Sequence, residues 1–298
     1  MAGRERALVL GGGGSAGNAW EIGVIAGLFD AGLDVTKADL IIGTSAGSTA
    51  AAQITSARRP PELLADILAA APPSRTGPPG SDRGRAPGPA ANHMERTGEI
   101  FAAAKDPADL RRRMGAAALQ SDAASDSSVQ ERWRAAVAAR LPSQSWPEQP
   151  IHIVVIDADT GEPVVFDRHS GVGLADAVAA SCANGFGVPP LTIGDRRYID
   201  GGYPSPENAD LAAGYERVLV LSPFGGRTRA PLEWGAHLAA HIEDLRARGS
   251  RVETIFPDSN SRDAFGGNMM DLSARPPSAQ AGYDQGKALA KQLTEFWR

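Results

Sequence analysis

Asp39-Leu40-Ile41-Ile42-Gly43-Thr44-Ser45-Ala46-Gly47-Ser48-Thr49-Ala50 is the stretch on which the reading of this chain turns. Its first half is a short apolar run with the length and β-branched content of a buried strand. Its second half consists of small residues and reads as a helix from about Ala46 to Thr55. At the junction Gly43, Ser45 and Gly47 spell GxSxG. A sharp strand-to-helix turn strains the serine and exposes its hydroxyl, while the flanking glycines let neighbouring chain come close without a Cβ clash. Ser45 is therefore a candidate nucleophile. A bare GxSxG is as readily a serine in a glycine-rich turn, and the strand-to-helix setting is what weighs against that.

The same succession occurs upstream. Residues 6–10, RALVL, read as a buried strand that runs into Gly11 to Gly14, and Gly17 to Ala31 has helical spacing. Trp20, Val24 and Leu28 share one face of that helix and Ile22, Ile25 and Phe29 another, so burial on two sides is expected. Amides freed at a helix start can hold a dinucleotide pyrophosphate or the oxyanion formed when a serine attacks an ester. Gly12, Gly14 and Gly17 match GxGxxG literally, but a dinucleotide site wants an acid at the end of the second strand. Gly43 and Ser45 stand there instead, and Asp39 is at the wrong end. The oxyanion reading uses both glycine loops, with the amides of Gly12, Gly13 and Gly14 as donors; a nucleotide-binding oxidoreductase is the weaker alternative.

Further along, IHIVVID at 151–157 and PVVFD at 163–167 read as strands joined by a turn over Asp159 to Gly161. A hairpin there makes the sheet mixed. Gly173 to Ala183 is a helix, Arg197 to Ile199 a short strand ending at Asp200, Arg217 to Leu221 a late core strand, and Val252 to Phe256 an edge. The last segment places Leu289, Leu293 and Phe296 on one helical face that would dock on the body. Asp200-Gly201-Gly202 in isolation is turn chemistry; at a strand end it also lets the chain approach a site closely.

The whole is read as one domain over residues 1–298 with a cap inserted at about 58–150. Within the insert, Pro72 to Pro89 has the composition of a mobile loop, and Met94 to Arg140 is helical and alanine-rich. Of 298 residues, 42% are hydrophobic and 22% charged, ordinary values for a globular protein. A net charge of -5, with no aromatic-plus-basic motif, argues against nucleic acid as a partner. Cys182 is the single cysteine, which excludes an intrachain disulfide and fits a reducing compartment. With no signal-like apolar stretch and none long enough to span a bilayer, a cytoplasmic protein is expected. Arg111 to Arg113 beside the helical insert leave peripheral membrane contact open, although a solvated basic face explains them as well.

A serine nucleophile usually works with histidine, and the chain has five: His93, His152, His169, His237 and His241. None stands in a motif. His169, just past the strand ending at Asp167, is the best conventional partner, and His237 with His241 on one helix face is more simply packed or solvated than metal-binding.

GGGGSAG at 11–17, GTSAG at 43–47 and DGG at 200–202, in this order, resemble the signatures of the patatin-like phospholipase family. The likeness extends to GNAWEIGVIAGL, to AASCA before Pro189-Pro190 and to SPENADLA after DGG, covering about Arg6 to Leu221. The resemblance implies a three-layer α/β/α fold with a mixed central sheet. It also implies hydrolysis of lipid acyl esters by a Ser-Asp dyad without histidine or cofactor. Carried over by position, Ser45 is the nucleophile and Asp200 the base, with Gly17, Gly43, Gly47, Gly201 and Gly202 supporting the turns. A lipid or other acyl ester is the implied substrate. Ala16 departs from the family's arginine in GGGxRG, which leaves a weakly catalytic lipid- or acyl-binding protein on the same fold as the leading alternative. NGFGVPP at 184–190 and the stretch 58–150 also depart from the family pattern.

Overall fold

The computed structural model describes residues 4–70, 89–120, 127–185 and 187–298. The proposed loop from Pro72 lies outside the described residues up to its last, Pro89, as does the side chain of His93. The strands are β1 (Arg6–Leu10), β2 (Leu40–Thr44), β3 (Ile151–Asp157), β4 (Pro163–Phe166), β5 (Leu191–Ile193), β6 (Arg196–Asp200), β7 (Arg217–Leu221) and β8 (Arg251–Ile255). They form a single mixed sheet in the order β5-β6-β3-β2-β1-β7-β8, with β4 paired to β3. β3, β2, β1, β7 and β8 are mutually parallel; β4 and β6 run antiparallel to β3. The hairpin expected at Asp159 to Gly161 joins β3 to β4, with Gly161 at φ +77.

β3 pairs with β2 through residues 151–154, with β4 through 153–156 and with β6 through 155–157. A strand has two edges, and β4 overlaps both of the others along β3, so β2 and β6 share the opposite edge and meet head to head. Thr44 stands opposite Val154 and Asp200 opposite Val155. The C-terminal ends of two strands running in opposite senses thus abut.

Helices cover both faces. They are α1 (Gly14–Asp30), α2 (Ala46–Ile54), α3 (Pro60–Ala69), α4 (Pro89–Ala103), α5 (Pro107–Leu119), α6 (Ser127–Ala138), α7 (Leu174–Ser181), α8 (Leu238–Ala247), α9 (Ser259–Phe265) and α10 (Arg275–Trp297). Alternation along the strands sends Leu8, Leu10, Ile41, Ile153, Val155 and Leu219 into a core shared with α1, α2, α7 and α10. Ala7, Val9, Ile42, Val154, Val218 and Val220 face the other way, toward α8 and a short 3-10 turn at Ala209–Ala212.

α1 is buried along its whole middle, from Ala16 to Leu28, as its two apolar faces require. It begins at Gly14, three residues before the expected start, because Gly13 supplies the break in the chain. Its outer side is covered by α10, and the two backbones touch through glycines. A Cβ on Gly23 would lie 2.1 Å from the Ala279 carbonyl oxygen, and one on Gly286 would lie 2.3 Å from that of Val24. The stretch 58–150 is joined to both faces of the sheet: Leu63, Leu64, Ile67 and Val137 enter the larger core, and Leu110 and Met114 pack with Ile156 and Ile199.

Candidate active site

Ser45 sits between β2 and α2 with φ 54 and ψ -117. Positive φ in a residue with a Cβ costs on the order of 1–3 kcal/mol and persists only where the surroundings hold it. The surroundings here are explicit. The Ser45 amide donates to Ser181 Oγ at 2.9 Å, whose hydroxyl donates in turn to the Val154 carbonyl at 2.7 Å. The Ser45 carbonyl accepts from Ser48 Oγ at 2.6 Å and from the Cys182 thiol at 3.1 Å. Glycine at 43 and 47 is a steric requirement: a Cβ on Gly47 would lie 2.0 Å from the Leu10 carbonyl oxygen, and one on Gly43 would lie 2.6 Å from the Gly47 carbonyl oxygen.

Asp200 ends β6 beside Ser45, whose side chain favours the ionised form of its carboxyl. Its Oδ1 accepts a hydrogen bond from the Gly202 amide at 2.8 Å. Desolvation outweighs both, and the carboxyl is pushed up to about 6 from its ordinary 3.8. Gly201 is fixed by close approach, since a Cβ there would lie 2.4 Å from the Val154 carbonyl oxygen. Asn208, at φ 51, ties the corner together by donating from Nδ2 to Thr44 Oγ1 at 3.0 Å and to the Gly201 carbonyl at 3.1 Å.

The first glycine loop closes the third side. A Cβ on Gly12 would stand 3.6 Å from that of Ser45. The loop's amides are not equally free, however. Gly12 donates to the Pro206 carbonyl at 2.9 Å and Ala16 to the Met269 carbonyl at 2.9 Å. The amides of Gly13 and Gly14 donate to no group among the described residues, so of the three expected donors these two remain available. The loop is walled by Pro223 against Gly13 and Gly17, and by Met269 and Met270 against Gly14. With Met270 59% and Leu272 49% exposed, the rim beside Gly14 is apolar. The dinucleotide alternative gains nothing here, because two loop amides are already taken and β2 ends without an acid.

His152, His169, His237 and His241 stand apart from this cluster. His169 is exposed in the loop after β4, where its amide donates to Asp167 Oδ1. His152 lies on β3 opposite Ile42, its pKa lowered by burial. His237 precedes α8, and His241 lies 3.5 Å from Asp210. Of the basic run, Arg111 donates to the Gly161 carbonyl at 2.9 Å and Arg113 pairs with Asp109 at 2.8 Å, both within the protein. Among the described residues no group of three or more acidic, histidine or cysteine side chains could hold a metal, and no helix is long and apolar enough to cross a membrane.

Ser181, Cys182 and Asn208 carry no role in the sequence reading, although they lie inside AASCA and SPENADLA. Their signal is weak because each acts through a backbone atom that only the folded chain brings near.

A strained serine at a strand-to-helix turn, a desolvated carboxylate near it and two loop amides without a partner among the described residues make up this corner of the fold. The model of the family described as patatin-like phospholipase matches residues 8–213, and the chain belongs to that family, one of lipid acyl hydrolases. Among solved structures, VipD from Legionella pneumophila aligns over 97% of this chain and 67% of its own, with TM-score 0.42 and 14% identity. The type III effector protein ExoU aligns over 97% of this chain and 53% of its own, with TM-score 0.39 and 14% identity. The chain thus spans about half the length of ExoU. No curated protein sequence matches it.

Proposed function

We propose that the protein hydrolyses lipid acyl esters through an acyl-enzyme formed on Ser45, with Asp200 as the base. The observation that carries this reading is the strained Ser45 set beside a desolvated Asp200 carboxylate at the abutting ends of β2 and β6. Ser45 Oγ bonds to the acyl carbon, its proton passes to Asp200, and the carbonyl electron pair moves onto oxygen. The Gly13 and Gly14 amides meet that oxyanion. Collapse of the intermediate expels the alcohol, which takes the proton from Asp200. Water then attacks the acyl-enzyme under the same base, and the free acid leaves. A carboxylate with a pKa of about 6 is a better proton acceptor at neutral pH than one at 3.8, and the abutting strand ends supply the positioning.

Labelling with a fluorophosphonate, followed by mapping of the modified peptide, tests the reading. Covalent capture at Ser45, lost in Ser45→Ala, is expected. Tight binding of acyl lipid without labelling would instead identify a lipid-binding protein.

A further inference from the structure

The first turn of α1 is gripped from outside by the chain that leads from α9 into α10. The peptide between Ser15 and Ala16 is held at both ends: the Ala16 amide donates to the Met269 carbonyl at 2.9 Å, and the Ser15 carbonyl accepts from Arg275 Nη1 at 3.0 Å. Gly14, the residue before, has φ +62, and a Cβ on it would lie 2.9 Å from the same Met269 carbonyl oxygen. The chain therefore leaves the oxyanion loop through a conformation that favours glycine and passes straight into a clamped peptide.

Arg275 opens α10 and is half-buried. The same Nη1 donates to Asn18 Oδ1 at 3.1 Å. Asn18 is buried in α1 and donates from Nδ2 to the carbonyl of Ala46, the residue after Ser45, at 3.4 Å and to Gln53 Oε1 at 3.1 Å. One guanidinium nitrogen thus joins the oxyanion loop, through Ser15, to the helix that follows the nucleophile, through Asn18. Arg275 makes no ion pair among the described residues, and it lies beside the first turns of α1 and α10, where helix dipoles disfavour a cation. Its place is explained by the bonds it makes rather than by its charge. Position 16, arginine in the family motif, is a fully buried alanine here, so the guanidinium at this turn comes from α10. Arg275 lies beyond the matched residues 8–213, which makes the clamp a property of this chain's own C-terminal helix.

Resting on Ser45 as nucleophile, we infer that Arg275 is a positioning residue for the reaction: from α10 it fixes the Ser15–Ala16 peptide and Asn18 together, so that the Gly13 and Gly14 amides keep a set place relative to Ser45. Such a residue acts where the oxyanion forms and not on the bound ester, so its loss falls on kcat. The test is hydrolysis of p-nitrophenyl butyrate by the full chain. Arg275→Met keeps an unbranched stem and removes both hydrogen bonds; kcat of the folded protein should fall by about tenfold to a hundredfold while KM changes by less than about twofold. Arg275→Lys, with a shorter reach and no planar fork, should lie between that variant and wild type. Affinity for a trifluoromethyl ketone, whose adduct on Ser45 carries the oxyanion, should weaken by the same factor as kcat/KM. A merely structural role would lower Tm in both variants and leave kcat and ketone affinity of the folded protein at the wild-type value, a result that overturns the inference. If Arg275→Met does not fold, Arg275→Lys is judged by the same two readouts. Hydrogen exchange separates the clamp from the dyad: in the folded variant the Ala16 amide should exchange about tenfold faster or more, with Val24 and Ile25 in the middle of α1 unchanged. If wild type turns over no ester, the Ser45 reading fails by itself, and exchange still decides for Arg275: faster exchange confined to the first turn supports the clamp, equal exchange defeats it.

Discussion

Ser45 and Asp200 stand at the abutting ends of β2 and β6, two strands that occupy one edge of β3 from opposite directions. Their meeting is therefore set by backbone pairing in the sheet rather than by a flexible loop. On the proposed reading, a pair held this way needs no third residue to orient its base, and His152, His169, His237 and His241 lie elsewhere. Ser45→Ala is expected to lower turnover of p-nitrophenyl esters by about a thousandfold or more, with Asp200→Asn nearly as damaging and His169→Ala mild. Steady-state kinetics on the three purified variants check the ranking; a crippled His169→Ala beside an active Asp200→Asn would mean a histidine triad.

The raised pKa of Asp200 has opposite consequences for activity and stability. The carboxylate is the working form, so kcat/KM should fall about tenfold per unit as pH drops below about 6. For stability the folded state holds the Asp200 proton more tightly than the unfolded chain does, so stability declines as pH rises from about 4 to about 6 and stays lower above that. Asp200→Asn removes the ionisation. At pH 8 it should stabilise the inactive protein by up to about 3 kcal/mol, raising Tm by several degrees, with the difference gone near pH 4. Thermal melts of both proteins at the two pH values provide the comparison.

The strands that were legible are short apolar runs; β1, β3 and β7 fall on the expected residues and β2 within one residue of them, while the three-residue β5 gave no signal. What the sequence could not show is which edge of β3 receives β6, because register is a property of pairing between segments more than 40 residues apart. The same holds for Gly12, whose amide looks free until Pro206, nearly 200 residues on, takes it. α3 and the first half of α10 were missed for another reason. The face that α10 turns to α1 is made of Ala279, Gly282 and Gly286, residues whose contribution is the absence of bulk, and a hydrophobic periodicity does not register them.

That absence of bulk is testable at Gly47, where α2 crosses β1. A methyl group there would enter the Leu10 carbonyl oxygen at 2.0 Å, and both partners are backbone, so neither can step aside by changing rotamer. Gly47→Ala should destabilise the fold by about 3 kcal/mol or more and abolish labelling at Ser45 even where folded protein is recovered. Gly32→Ala, at a glycine whose Cβ would meet nothing within 4 Å, serves as the control. Its φ of +89 predicts a modest loss of stability with labelling retained.

Beneath the first glycine loop lies a pair of acids that catalysis does not use. Glu21 is fully buried in α1 with no hydrogen-bond partner for either carboxylate oxygen among the described residues. Burial, and to a lesser extent the neighbouring Glu207, raises its pKa well above the usual 4.5. Glu207 is buried too and shifted upward, but it accepts a hydrogen bond from Ser222 Oγ at 2.6 Å, and its Cγ would lie 3.2 Å from a Cβ on Gly11. An acid that the folded state prefers to keep protonated costs stability increasingly as pH rises above its unfolded value. Glu21→Gln should accordingly raise Tm at pH 8, by about 2 °C for each kcal/mol recovered, and make little difference at pH 4. Glu207→Gln should gain less, because the carboxylate it replaces is already bonded. A Glu21→Gln protein less stable than wild type at pH 8 would mean that the ionised carboxylate, rather than the neutral acid, supports the loop from below.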